Sequence, residues 1–258
     1  MRPDTFTITT FWGDWTVMPL MLGAAWLTLR WALADWRKAS RLQAEEATLP
    51  GWAVFLPLAI SAAGFVLLGL SMLVKEPYWE HRGLWVGQML LLVGCFIGAV
   101  LTLIGFLRGG SRFGMAGVLS AIGLLLMSVL LVLPALFVDS PPTQYTFAAY
   151  LWFGLLVGCA ACLTAGIFLG FPYNFARFPL GIASIYAFGL GLMEIGFKRP
   201  SFSSLLYVWD FRLGLDYIYA GPESTAWQIA GLAKVLLAIG ILAISTIVSR
   251  RRKALGAS

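Results

Sequence analysis

Residues 231–253 read GLAKVLLAIGILAISTIVSRRRK. Nineteen residues of nearly unbroken apolar character end in four consecutive basic ones, and a single lysine, Lys234, interrupts the run near its start. The length suits a bilayer, because a transmembrane helix needs about 20 predominantly apolar residues. The terminal Arg250, Arg251, Arg252 and Lys253 suit the cytoplasmic end of such a helix, where basic residues accumulate and anionic lipids attract them.

The rest of the chain has the same character. Of 258 residues, 60% are hydrophobic and 12% charged, against about 45–50% and about 25% in soluble domains. Seven apolar runs are spaced along it, at 15–35, 52–74, 84–107, 114–138, 146–170, 178–197 and 225–249. The opening MRPDTFTITTFWGDW is polar and aromatic, with no small-residue cleavage motif after the first run, so that run is expected to be a retained helix. These features predict an all-α fold: one transmembrane domain over 1–258, a polytopic integral membrane bundle of seven helices.

The basic residues set the expected orientation. With the C-terminus inside, Arg30, Arg37, Lys38, Arg41, Arg108, Arg112, Arg177 and the four tail residues face the cytoplasm. Arg2, Lys75, Arg82, Lys198, Arg199 and Arg212 face out, giving eleven against six. The expectation is a multi-pass protein of the cell membrane, N-terminus extracytoplasmic and C-terminus cytoplasmic. The net charge of +6 then reports topology, and no nucleic-acid partner is expected.

Few residues carry chemistry. Thr225 and Gln228 fit an N-cap with its capping-box partner, which starts the last helix there and places Lys234 roughly 13 Å below its end. A lysine at that depth either snorkels or pairs. Glu194, near the outer end of the preceding antiparallel span, is the expected partner, and Asp14 at the outer end of the first span is a further candidate for the same group.

A lysine in a seventh span, here within LAKV, is similar to the retinal-binding lysine of microbial rhodopsins. The resemblance covers only those residues and the helix count. Ala230 stands where that family places an aspartate, and no acid follows Arg82 within its helix. A buried protonated Schiff base would lack its counterion, so no retinal site is expected.

Small residues are expected to set helix contacts, because close backbone packing drives association in lipid. Gly154, Gly158, Cys162, Gly166 and Gly170 recur every four residues, and Gly94 with Gly98 forms a GxxxG pair. These mark packing within the bundle or an interface with a partner chain. Cys159 and Cys162 spell CAAC in mid-span, where a thiolate is disfavoured, and with Cys95 they are expected to be packing residues. The long stretch 198–224 mixes Tyr207, Trp209, Phe211, Tyr217 and Tyr219 with charges, as in an interfacial helix or docking surface.

The single histidine, His81, excludes a bis-histidine haem or a histidine-rich metal centre built within this chain. There is no phosphate-binding glycine loop and no nucleophile–base set, so no catalytic residue, metal or cofactor is assigned. Three function classes remain. First is a non-catalytic subunit of a larger membrane assembly, with other membrane subunits as partners. Second is a small-solute or ion transporter using Glu194, Lys234 and Asp14. Third is a membrane enzyme acting on a lipophilic substrate.

Overall fold

The computed structural model describes residues 3–42, 49–71, 77–109, 114–132, 142–198 and 223–254. Among them are seven α-helices: α1 (Pro3–Leu42), α2 (Gly51–Ser71), α3 (Pro77–Gly109), α4 (Gly114–Val132), α5 (Pro142–Phe168), α6 (Arg177–Phe197) and α7 (Thr225–Ala254). A 3₁₀ turn, Asn174–Ala176, leads directly into α6, and no strand occurs among the described residues.

Among the described residues, five stretches are long and apolar enough to cross a membrane: Gly51–Ser71, Val86–Leu107, Gly114–Val132, Tyr150–Phe168 and Thr225–Ile244. The chain is thus an integral membrane protein with several membrane-compatible helices. The other two expected spans, 15–35 and 178–197, lie on the helices α1 and α6.

Successive helices pack side by side, α1 on α2 through to α4 on α5, then α6 on α7, with α5 touching α6 more sparingly. Their contacts run in opposite directions along the chain. Gly51 lies against Trp36 while Gly69 lies against Met21 and Leu22; Gly64 meets Gly87 while Gly83 meets Ser71. This is the antiparallel order that short connections impose. One end of the bundle therefore gathers Arg37, Lys38 and Arg177 (the basic end), and the opposite end gathers Glu194 and Glu223.

Backbone proximity at small residues makes the seams. A Cβ at Gly64 would lie 2.7 Å from the Gly87 carbonyl oxygen, and one at Gly94 would lie 2.7 Å from that of Pro57. Gly98 sits under the Phe175 ring, at 3.3 Å for an added Cβ. Five buried hydroxyls are satisfied within their own helices: Thr28, Ser61, Thr102, Ser128 and Ser184 each donate to the carbonyl four residues back. That local bond lets a polar side chain sit where no water competes. Large apolar side chains line the outside as well, among them Trp26, Phe96, Leu107, Ile229 and Leu236. Such an exterior suits a hydrocarbon surround.

Candidate functional site

The α6–α7 joint is built from the loop inward. α6 ends at Lys198, which adopts the left-handed conformation (φ 55°, ψ 27°) and donates its N–H to the Glu194 carbonyl at 2.9 Å. The Lys198 carbonyl then accepts the Ser224 N–H, also at 2.9 Å, so residues 199–223 leave and return at one point. Ser224 caps α7: its Oγ accepts the Ala226 N–H at 3.2 Å and its carbonyl accepts the Trp227 N–H at 3.1 Å. The cap is therefore one residue earlier than the sequence pattern indicated. Gln228 closes no box on Thr225; its Nε2 donates across to the Ile195 carbonyl of α6 at 3.2 Å. An orphan carbonyl in the last turn of α6 competes successfully for that amide.

Two turns further in, the helices cross on glycine. A Cβ at Gly191 would lie 2.6 Å from the Gly231 carbonyl oxygen, and one at Gly231 would lie 2.6 Å from that of Gly191. No other residue type allows this approach. Glu194 and Lys234 each stand three residues beyond their glycine, displaced in opposite axial directions because the helices are antiparallel. The long lysine stem spans the resulting offset, and Lys234 Nζ donates to Glu194 Oε1. Both side chains are buried, at 1% and 0% exposure. The ammonium also sits over the Phe153 ring of α5, 5.3 Å from its centroid. Tyr150 of α5 stacks near Trp227 of α7 at 5.1 Å, one step toward the loop. Aromatic groups thus cover the joint on its α5 side.

The remaining residues singled out from sequence divide. Asp14 lies on α1, but its side chain is outside the described residues, as are Tyr207, Trp209, Phe211, Tyr217 and Tyr219. Gly94 and Gly98 of the GxxxG pair are taken up inside the chain, and so is Gly166, against the Ala116 carbonyl at 3.0 Å for an added Cβ. Gly158 faces Leu126 at 3.4 Å, while Gly154 and Gly170 have nothing within 4 Å. Gly170, at φ +104°, ends α5 and belongs to no flat groove. The four-residue stripe is therefore not one continuous surface. Cys159 donates to the Gly123 carbonyl at 3.3 Å, and Cys95, Cys159 and Cys162 are free thiols. Among the described residues no cluster of His, Cys, Asp or Glu is placed to hold a metal.

A second polar cluster has no marker in the sequence. Asp35, 1% exposed on α1, accepts two bonds from Asn174: backbone N–H to Oδ2 at 2.6 Å and Nδ2 to Oδ1 at 2.7 Å. Lys38 Nζ reaches the Pro172 carbonyl at 3.5 Å. The turn held this way buries Phe171, Tyr173 and Phe175, which pack ring to ring at 5.4–5.9 Å. The turn touches α1, α2, α3, α4 and α6, so it stoppers the basic end of the bundle.

No family model, curated protein or solved structure matches this chain. The chemistry of the joint can still be stated. A carboxylate and an ammonium paired in a low-dielectric interior attract strongly but have each lost their hydration, so the pair adds modest net stability. Breaking it by removing one partner is severe, because the survivor is then a buried unpaired ion. The arrangement fixes register between two helices, and nothing in it forms a nucleophile–base set.

Proposed function

We propose that the chain crosses the cell membrane seven times, N-terminus out and C-terminus in, as a non-catalytic subunit of a larger membrane assembly. The carrying observation is the fate of the deep charge: Lys234 is neutralised by Glu194 at a glycine crossing where backbone meets backbone. Such a place is a joint, with the ammonium spent on fastening α7 to α6. Orientation is supported by the eleven-to-six sorting of basic residues, with Arg37, Lys38 and Arg177 gathered at one end.

The α5 surface supports a partner. Gly154, Val157 and Ala161 are exposed on one side of the helix, with Gly154 open to approach. Small residues on an open face let a second helix come close enough for backbone packing, which is the main source of affinity in lipid. The stretch 198–224, which mixes three tyrosines and one tryptophan with charges, is a further candidate for partner contacts.

Purification in mild detergent followed by native mass measurement tests the proposal. The expected result is a mass exceeding the 28.1 kDa chain by that of other polypeptides. A lone monomer under conditions that preserve other membrane complexes overturns it. A solute or ion path through the same buried acid–base pair is the rival. It requires that the double variant Glu194→Leu/Lys234→Met, once shown to be folded, lose vesicle transport, whereas a joint requires that this variant still assemble.

A further inference from the structure

One face of α1 is unlike the rest of the bundle exterior. Gly23, Trp26, Arg30, Ala34 and Arg37 follow one another at spacings of three or four, and all five are exposed. Residues so spaced share a single helix face. Gly23 has nothing within 4 Å, and Trp26 is 65% exposed, so the face is open along its length. The only acid in this part of the helix, Asp35, points the opposite way into its bonds with Asn174. Among the described residues no carboxylate meets Arg30 or Arg37.

Depth makes this arrangement costly unless something covers it. The apolar run of α1 ends near residue 35, which puts Arg30 roughly 7 Å inside the hydrocarbon edge. A guanidinium there must find an anion or draw water toward itself. Arg37 stands just beyond the edge, two turns and roughly 10 Å further along the same face. Ala34 lies between them with only a methyl group facing a ligand. Two arginines on one face, with stems long enough to converge over Ala34, can form a fork that matches phosphate oxygens. Trp26, one turn below Arg30, offers a flat apolar surface to the start of an acyl chain.

We propose that this face of α1 is a binding site for an anionic phospholipid, with the headgroup phosphate held between Arg30 and Arg37 over Ala34 and an acyl chain along Trp26. The occupant is a lipid and not a free anion, because the site opens laterally onto the hydrophobic exterior. The proposal rests on α1 being a membrane span, part of the seven-span proposal above.

The test uses the full chain in mild detergent, with phosphatidylglycerol and phosphatidylcholine added in equal amounts and bound lipid counted by native mass measurement. The wild type retains phosphatidylglycerol in preference to phosphatidylcholine. Arg30→Gln/Arg37→Gln weakens that retention about thirtyfold, as expected for two lost arginine contacts near an anionic surface. The control Arg251→Gln/Arg252→Gln removes equal charge from the tail and leaves the preference intact. Equal retention of both lipids by the wild type, or equal loss in the tail control, overturns the site as generic electrostatics. Release of a co-purified protein by Arg30→Gln/Arg37→Gln, with lipid retention unchanged, also overturns it in favour of a partner helix. Impermeant-thiol labelling of cysteines placed at residues 40 and 256 separates the two ideas. Labelling from opposite sides refutes the seven-span topology, while the lipid counts stand as measured.

Discussion

At the scale of residues, the Lys234–Glu194 pair dominates. Each single change, Lys234→Met or Glu194→Leu, leaves one buried ion unpaired and should destabilise the protein by about 3–5 kcal/mol. The double change removes both ions and should recover most of that loss. Thermal unfolding in detergent reads the cycle, and additive losses would mean the pair is not coupled. This pair was legible in the sequence for a plain reason. A lysine inside an apolar run needs a partner, and the acid within reach of its long stem lies on the antiparallel neighbour. Asp35 was not legible, although it is as deeply buried. Its partner Asn174 is 139 positions away, and an acid beside Arg37 and Lys38 looks like any charge at a helix end.

At the scale of elements, the glycine crossing of α6 and α7 decides where those residues stand. An alanine at Gly191 or Gly231 would put a methyl within 2.6 Å of a carbonyl oxygen, a contact that only backbone displacement relieves. Gly191→Ala should destabilise by about 1–3 kcal/mol, as other overpacked interiors do. Gly154→Ala, with nothing within 4 Å of the added methyl, should leave the isolated chain's Tm unchanged or slightly raised. Equal effects at the two positions would refute the crossing. The sequence pattern marks other glycines than these two. The stripe on α5 has a regular period, yet it splits between the α4 seam, an open face and a helix end. Gly191 and Gly231 stand out in no repeat, because a single crossing point needs only one glycine on each helix. Periodicity reports a shared face, and only the packed structure says which turn of that face meets a neighbour.

At the scale of the whole molecule, the bundle is a chain of antiparallel neighbours with one departure, the aromatic turn that folds back under five helices. Helical class and membrane character were legible from composition and run length. The turn was not, since GFPYNFARFP (170–179) carries two prolines and reads as an ordinary connection. Burial of Phe171, Tyr173 and Phe175 follows from their surroundings, with Gly98 leaving room above Phe175. Asp35→Ala withdraws the acceptor of both Asn174 bonds and should loosen the stopper. Native Cys95, one turn from Gly98 on α3 and 2% exposed, is the reporter. Its reaction with a small maleimide should be faster in Asp35→Ala than in the wild type. An unchanged rate would show that ring packing alone seats the turn.

The bond between the Lys198 carbonyl and the Ser224 N–H has its own consequence. Because departure and return share one hydrogen bond, the number of residues in the excursion is decoupled from the spacing of the two helices it joins. Lineages or engineers are at liberty to lengthen, trim or exchange that cassette, and the scaffold beneath would register no change in its dimensions.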